Sequence, residues 1–371
     1  MIVISVYVIF IILGLTFRKS KIVTLALLIY SWCLIGLNSY TPDYESYYQV
    51  FNGTYYGKNI EIGYHLINTF FYGIGLSFQQ FRMIWALIYT VLLANFVIKE
   101  TNNPNCALSL MLICPFLLDV SGIRSCVAYL LVMNFSLLLK KDGLKNRILF
   151  CIGVLIASTI HISSLFFLTF LLESRALSKN KKAVILGFIT LIAFVIRTPI
   201  FTKICELVYD LTGIYAVQKW FLGGSSNTHP NIIGFLSVAI FLVMLEVLAS
   251  FETKFILNNN DEDSCRNVTF LGVQSFHMLY LLPVIMITIE SQRMMYGSLV
   301  MFHCITSNCF SEKDSCSKFS LSAGLYVLAE IVILLAMMWM YSYSYKSHDV
   351  FSALRNNYFL TDIPPLNILR R

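Results

Sequence analysis

Apolar runs separated by short polar breaks dominate this chain from end to end. A helix that spans a bilayer needs about 20 mostly apolar residues. Runs near that length fall at 2–17, 22–37, 82–98, 105–120, 123–139, 183–201, 232–250, 268–289, 294–310 and 319–341. Two further segments fit less cleanly. Residues 61–76 (EIGYHLINTFFYGIGL) carry polar groups and two late glycines, which predicts a half-inserted or interfacial helix. Residues 148–172 (ILFCIGVLIASTIHISSLFFLTFLL) hold His161 and three serines at their centre. The pattern predicts an all-α, polytopic integral membrane protein with about ten to twelve transmembrane helices, allowing for re-entrant or interfacial segments.

Composition points the same way. Of 371 residues, 57% are hydrophobic and 13% charged, with mean hydropathy +0.72, whereas soluble domains run at about 25% charged. No segment is long and polar enough to form a soluble domain. Residues 1–345 therefore read as a single polytopic membrane domain with outer-face loops 38–81 and 202–231, followed by a short polar tail, 346–371. The first run lacks a basic flank and a small-residue cleavage site, so a retained helix is expected rather than a signal peptide. The net charge of +7 is modest and its positives cluster in short loops. That distribution suits topology and argues against a nucleic-acid partner. Ten cysteines are scattered singly, with no C-x-x-C pair and no Cys/His ligand spacing, so neither a metal site nor a cofactor is expected.

The loops RKSK (18–21) and KKDGLKNR (140–147) are short and basic, which predicts that both are cytoplasmic. Four runs lie between them, at 22–37, 82–98, 105–120 and 123–139, so the two assignments agree. Loop 38–81 and the start of 123–139 then face outward. ESRALSKNKK (173–182) is also basic. If 148–172 crosses once, that loop lies outside, against the positive-inside rule. If the chain turns back at His161, each arm has about 11–13 residues, some 16–20 Å, and forms a re-entrant hairpin. The hairpin also gathers the unusual polar residues near one face, which favours it; loop 202–231, Arg293 and the tail then fall outside.

Four polar features near that face stand out. TPDYESYYQVF (41–51) sets Asp43 and Glu45 among tyrosines. It reads either as an interfacial tyrosine belt or as a sugar-stacking platform with a carboxylate base. Glu61 could simply be an acid favoured by a helix dipole. Arg124 and Arg293 each open an apolar helix after a polar break. Either they snorkel to headgroups, or two such forks face one cavity and clamp a diphosphate, for which arginine geometry is suited. An arginine near hydrocarbon costs roughly 2.5–3.5 kcal/mol at mid-helix, which asks for a reason. His161 reads as a packing residue or as an ionisable group kept for function. Arg197, Glu246 and Glu330 also lie within apolar runs, and Glu330 needs a partner; His65, His229, His277 and His303 show no metal-like spacing and receive no role.

The order Asp43-x-x-x-Tyr47-Tyr48, Glu61-x-Gly63-Tyr64, Arg124 opening a helix, the basic loop, His161-x-Ser163 and Arg293-x-x-Tyr296 resembles the EpsG family. These are membrane proteins of exopolysaccharide and capsule synthesis, grouped with Wzy-type O-antigen and capsular polysaccharide polymerases. The resemblance runs over about residues 30–310, through short motifs whose order and spacing carry the weight. Family members often place Gln after the first arginine; here Ser125 follows Arg124. The resemblance implies a glycosyltransferase-type polymerase in the bacterial cytoplasmic membrane, with its active site facing outward. It would join polyprenyl-diphosphate-linked oligosaccharides, with the lipid diphosphate leaving.

On that implication Arg124 and Arg293 form the diphosphate clamp. Asp43, Glu61 and His161 are the candidates for base or acceptor positioning, and Tyr47, Tyr48, Tyr64 and Tyr296 line the sugar path. No metal is expected. The implied partners are the lipid-linked oligosaccharide, membrane lipid, and the flippase and chain-length regulator of the same pathway. Two rival readings share the helix count: a polysaccharide flippase or transporter, and a membrane acyltransferase that decorates glycans. Paired repeats, common in carriers, are not evident in the sequence.

Overall fold

The computed structural model describes residues 2–39, 41, 43–54, 60–141, 143–172, 188, 191, 195, 199–212, 232–259, 262–285, 291–310 and 321–344. Arg197, His229, most of the run at 183–201, residues 213–231 and the tail 346–371 lie outside them. The described residues hold fifteen α-helices and no strand. In chain order these are α1 (Ile2–Thr16), α2 (Lys21–Gly36), α3 (Tyr44–Phe51), α4 (Ile62–Gly73), α5 (Phe78–Glu100), α6 (Pro104–Ile113), α7 (Phe116–Asp119) and α8 (Ile123–Ser136). There follow α9 (Leu144–Ile160), α10 (Pro199–Thr212), α11 (Ile232–Asn259), α12 (Glu262–Ser275), α13 (Leu281–Ile285), α14 (Ser291–Ser307) and α15 (Leu321–Ser344). Among the described residues, Phe78–Glu100, Ile123–Lys140 and Leu321–Trp339 are long and apolar enough to cross a membrane by length and composition. The protein is all-α and of integral-membrane type.

Local chemistry sets the ends of these helices. Ser20 caps α2 by accepting from the Val23 N–H, and Ser77 with Gln80 forms a capping box at the start of α5. Where the hydropathy pattern suggested one uninterrupted run at 105–120, the helix stops at Ile113 and restarts as α7. Pro115 supplies no N–H to continue the ladder. The run at 268–289 likewise tightens into a 3₁₀ stretch at Phe276–Tyr280 just before α13, which contains Pro283. Loop 38–81 contains two short helices, α3 and α4. α4 leaves Ile62, Leu66 and Phe70 exposed along one stripe, the pattern of a helix lying at a lipid interface.

At His161 the backbone becomes extended and α9 ends. The chain continues as a 3₁₀ stretch, Ile162–Leu172, which folds back along α9. The rings of Phe150 and Phe170, ten or so residues either side of the bend, stack with centroids 6.2 Å apart. The first arm is longer than the re-entrant estimate, because the helix already begins at Leu144 within the basic loop.

Contacts sort the helix ends onto two faces. Arg18 stacks on Phe310, Asn103 donates to the Ser307 and Phe310 carbonyls, and Lys140 pairs with Glu100 and donates to Asn267. The two basic loops therefore share one face with the ends of α5 and α14. The opposite ends of α5, α8 and α14 carry Arg82, Arg124 and Arg293. Along α8 and the 3₁₀ turn that follows it, Leu137–Lys140, the separation from Arg124 to Lys140 is about 26 Å.

Candidate functional site

At the face opposite the basic loops, the starts of α3, α4, α8 and α14 meet the bend after α9. α3 and α4 each begin on a carboxylate, Asp43 and Glu61, at the N-cap position. Such side chains ordinarily accept from their own helix, but neither does so here. Each reaches across to an arginine instead. Glu61 Oε2 lies 2.7 Å from Arg124 Nη1, and Asp43 Oδ2 lies 3.0 Å from Arg293 Nη2. The second oxygen of Glu61, Oε1, accepts the Ile162 N–H at 3.3 Å. One carboxylate thus ties α4 both to α8 and to the hairpin bend.

Tyrosines fill the space around these ions. The Arg124 guanidinium lies 5.3 Å from the Tyr64 ring centroid and 6.0 Å from that of Tyr47, within range of cation–π attraction. The two rings meet edge to face at 6.1 Å. Tyr47 follows Asp43 by one turn of α3, its N–H donating to the Asp43 carbonyl at 3.1 Å, so the ring beside Arg124 stands next to the carboxylate that holds Arg293. That proximity brings both ion pairs to one locality. Burial raises the Tyr64 phenol to about 12, opposed by Arg124, and raises Tyr47 further, with the Asp43 charge adding to it. Both phenols stay neutral hydrogen-bond donors at physiological pH. The Glu61–Arg124 pair is the more sheltered, with side chains 17% and 20% exposed, against 28% and 41% for Asp43 and Arg293.

Two glycines let the elements close to these distances. A Cβ on Gly63 would stand 2.2 Å from Thr159 Oγ1, so α4 passes α9 almost backbone to side chain. A Cβ on Gly297, one turn after Arg293, would stand 2.2 Å from Tyr129 Cδ2. Tyr129 in turn belongs to a polar chain behind the site. Its hydroxyl lies 2.6 Å from Ser163 Oγ, which lies 2.5 Å from His161 Nδ1. His161 is buried and edge to face with the Tyr129 ring.

Of the residues singled out from sequence, Asp43, Glu61, Tyr47, Tyr64, Arg124 and Arg293 come together. His161 sits just beneath them at the bend. Tyr48 does not join: it is exposed and packs edge-on against Phe78. Tyr296 is buried on α14 one turn from Arg293. The sequence reading passed over Arg82, which lies buried in the first turns of α5 beside Tyr44; its signal was a cation at the head of an apolar run, directly after Phe81. Away from the site, Glu330 finds its partner in His303: Nδ1 lies 2.6 Å from Glu330 Oε1, and Nε2 lies 2.8 Å from the Cys114 carbonyl. A carbonyl can only accept, so Nε2 carries a proton.

The family model that matches this chain is that of the EpsG family, over residues 21–353. No curated protein and no solved structure matches it. The chain belongs to the EpsG family, which groups Wzy-like, polymerase-type proteins of exopolysaccharide and O-antigen biosynthesis.

Proposed function

We propose that this EpsG-family protein joins polyprenyl-diphosphate-linked oligosaccharide repeat units at the outer face of the bacterial cytoplasmic membrane. The observation that carries the reading is the convergence of Arg124 and Arg293, from separate helices, at the Tyr47 turn of α3: Arg124 faces the Tyr47 ring and Arg293 holds Asp43 one turn before it. Family membership supplies the polysaccharide context. The basic loops on the opposite face support the outward orientation.

In this scheme an acceptor hydroxyl attacks the anomeric carbon of the donor sugar. The bond from that carbon to the diphosphate oxygen breaks, and polyprenyl diphosphate leaves with the electron pair. Negative charge grows on the departing oxygen. Guanidiniums already fixed at that place stabilise it without reorganising, and the forked geometry of arginine suits two phosphate oxygens at once. Glu61 is the base we assign: it sits 2.7 Å from Arg124 Nη1, and an incoming diphosphate competes for that same guanidinium. Release from Arg124 leaves the carboxylate free to take the acceptor proton. Asp43 holds Arg293 in the corresponding way. His161, through Ser163 and Tyr129, orders the bend that presents the Ile162 N–H to Glu61. Of the four tyrosines, only Tyr48 is exposed enough to offer a ring to a sugar; Tyr47 and Tyr64 are buried and flank Arg124, and Tyr296 is buried on α14.

The test is complementation of a null strain with Arg124→Lys or Arg293→Lys, reading lipid-linked polymer as a ladder on a gel. Lysine keeps the charge but not the fork, so ladders shortened or lost at normal expression are expected. A normal ladder from both variants overturns the clamp.

A further inference from the structure

α5 brings a third arginine to the site. Arg82 is 2% exposed. Its Nη2 donates to the Ile35 carbonyl at 3.1 Å, near the C-terminal end of α2, where the Gln79 side chain likewise donates to the Gly36 carbonyl. Capping that helix end accounts for one of the five N–H donors of a guanidinium. Arg82 Nε and Nη1 are buried with no hydrogen-bond partner. The charge centre lies 5.0 Å from the Tyr44 ring centroid and 6.0 Å from that of Phe78. Tyr44, Tyr64 and Tyr47 all lie within its electrostatic reach, the last two being the rings that also flank Arg124.

Charge counting gives this placement a meaning. Arg124 is balanced by Glu61 and Arg293 by Asp43, so the two pairs together are neutral. Among the described residues no carboxylate pairs with Arg82, and the Glu45 carboxylate on α3 is exposed and held by Gln49, which leaves the inner part of the site with one net positive charge. A neutral pair of salt bridges exerts little pull on an approaching anion. A buried, unscreened cation behind an aromatic wall exerts a good deal more.

We propose that Arg82 is a positioning residue that acts through its charge: from beneath the Tyr44–Tyr47–Tyr64 wall it gives the otherwise neutral arginine–carboxylate cluster the positive potential that draws in a lipid diphosphate. The inference rests on the reading of Arg124 and Arg293 as the diphosphate clamp. At about 10 Å and an effective dielectric near 20, one such charge is worth on the order of tenfold in affinity per phosphate charge.

The experiment uses the full chain purified in detergent, with farnesyl diphosphate as probe and farnesol as its uncharged control. Arg82→Gln keeps a donor for the Ile35 carbonyl and loses the charge; Arg82→Met is a second neutral variant, and Arg82→Lys restores the charge. Expected are diphosphate binding weakened by about tenfold or more in both neutral variants, recovery by lysine to within about threefold, and farnesol binding unchanged throughout. Wild-type diphosphate binding by Arg82→Gln overturns the proposal. So does an Arg82→Lys variant as weak as Arg82→Gln, which would leave Arg82 as a helix cap alone. Arg124→Lys separates the two readings. If it weakens diphosphate binding while Arg82→Gln does not, only the Arg82 proposal falls; if it too binds like wild type, the clamp falls and takes this inference with it.

Discussion

Replacing Gly63 with alanine is the sharpest mechanical probe of the site. An added Cβ would stand 2.2 Å from Thr159 Oγ1 and 2.8 Å from both the Thr159 Cβ and its carbonyl oxygen, where ordinary contact begins at 3.4 Å. α4 must therefore move off α9 by about 0.6 Å if the Thr159 hydroxyl rotates away, and by about 1.2 Å if it does not. Glu61 rides on the first turn of α4. Moved by either amount away from the bend, its 3.3 Å bond from the Ile162 N–H stretches past any hydrogen-bonding distance. Two energies oppose each other in stability. Alanine in place of helical glycine gains at most about 0.5–1 kcal/mol, while overpacking costs about 1–3 kcal/mol. The clash wins, and a small net loss of about 1–2 kcal/mol is expected, readable as a lowered melting temperature of the detergent-solubilised protein. Activity should fall much further, because a displacement near 1 Å at reacting groups can cost on the order of a hundredfold. Polymer yield per unit of folded protein reports it. Thr159→Ala removes the closest clashing atom but not the Cβ or the carbonyl, so the double variant should regain only part of the yield. Full activity in Gly63→Ala, with an unchanged melting temperature, would refute the idea that this close approach sets Glu61 in place.

Other expectations follow from the same contacts. Glu61→Gln should abolish polymer formation at normal expression, whereas Asp43→Asn, from the more exposed pair, should lower yield less; equal effects in a ladder assay would contradict the assignment of Glu61 as base. His303→Leu strands the fully buried Glu330 carboxyl and should cost about 3–5 kcal/mol. The His303→Leu/Glu330→Leu double variant should recover much of that loss in a thermal-melt cycle, and additive losses would deny the coupling.

The all-α membrane character and the gathering of charges were legible because apolar runs, positive loops and arginines beside hydrocarbon each carry a local physical signal. Asp43, Glu61, Arg124 and Arg293 could be picked out in this way. Their pairing could not, since Glu61 and Arg124 stand 63 positions apart and Asp43 and Arg293 stand 250 apart; only packing decides which carboxylate meets which guanidinium. The break at 113–116 was present in the sequence as Pro115, yet hydropathy averages across it. Arg82 escaped notice because it fell at the edge of an apolar run, where a cation reads as a boundary. Glu330 was recognised as needing a partner, but His303 could be identified as that partner only once α14 and α15 were packed together.

The most direct measurement is an experimental structure of the full protein in a lipid nanodisc with polyprenyl diphosphate bound. The account predicts phosphate oxygens about 3 Å from the guanidiniums of both Arg124 and Arg293, with Glu61 drawn away from Arg124. A diphosphate seated on the face of the basic loops, or touching neither arginine, would contradict it.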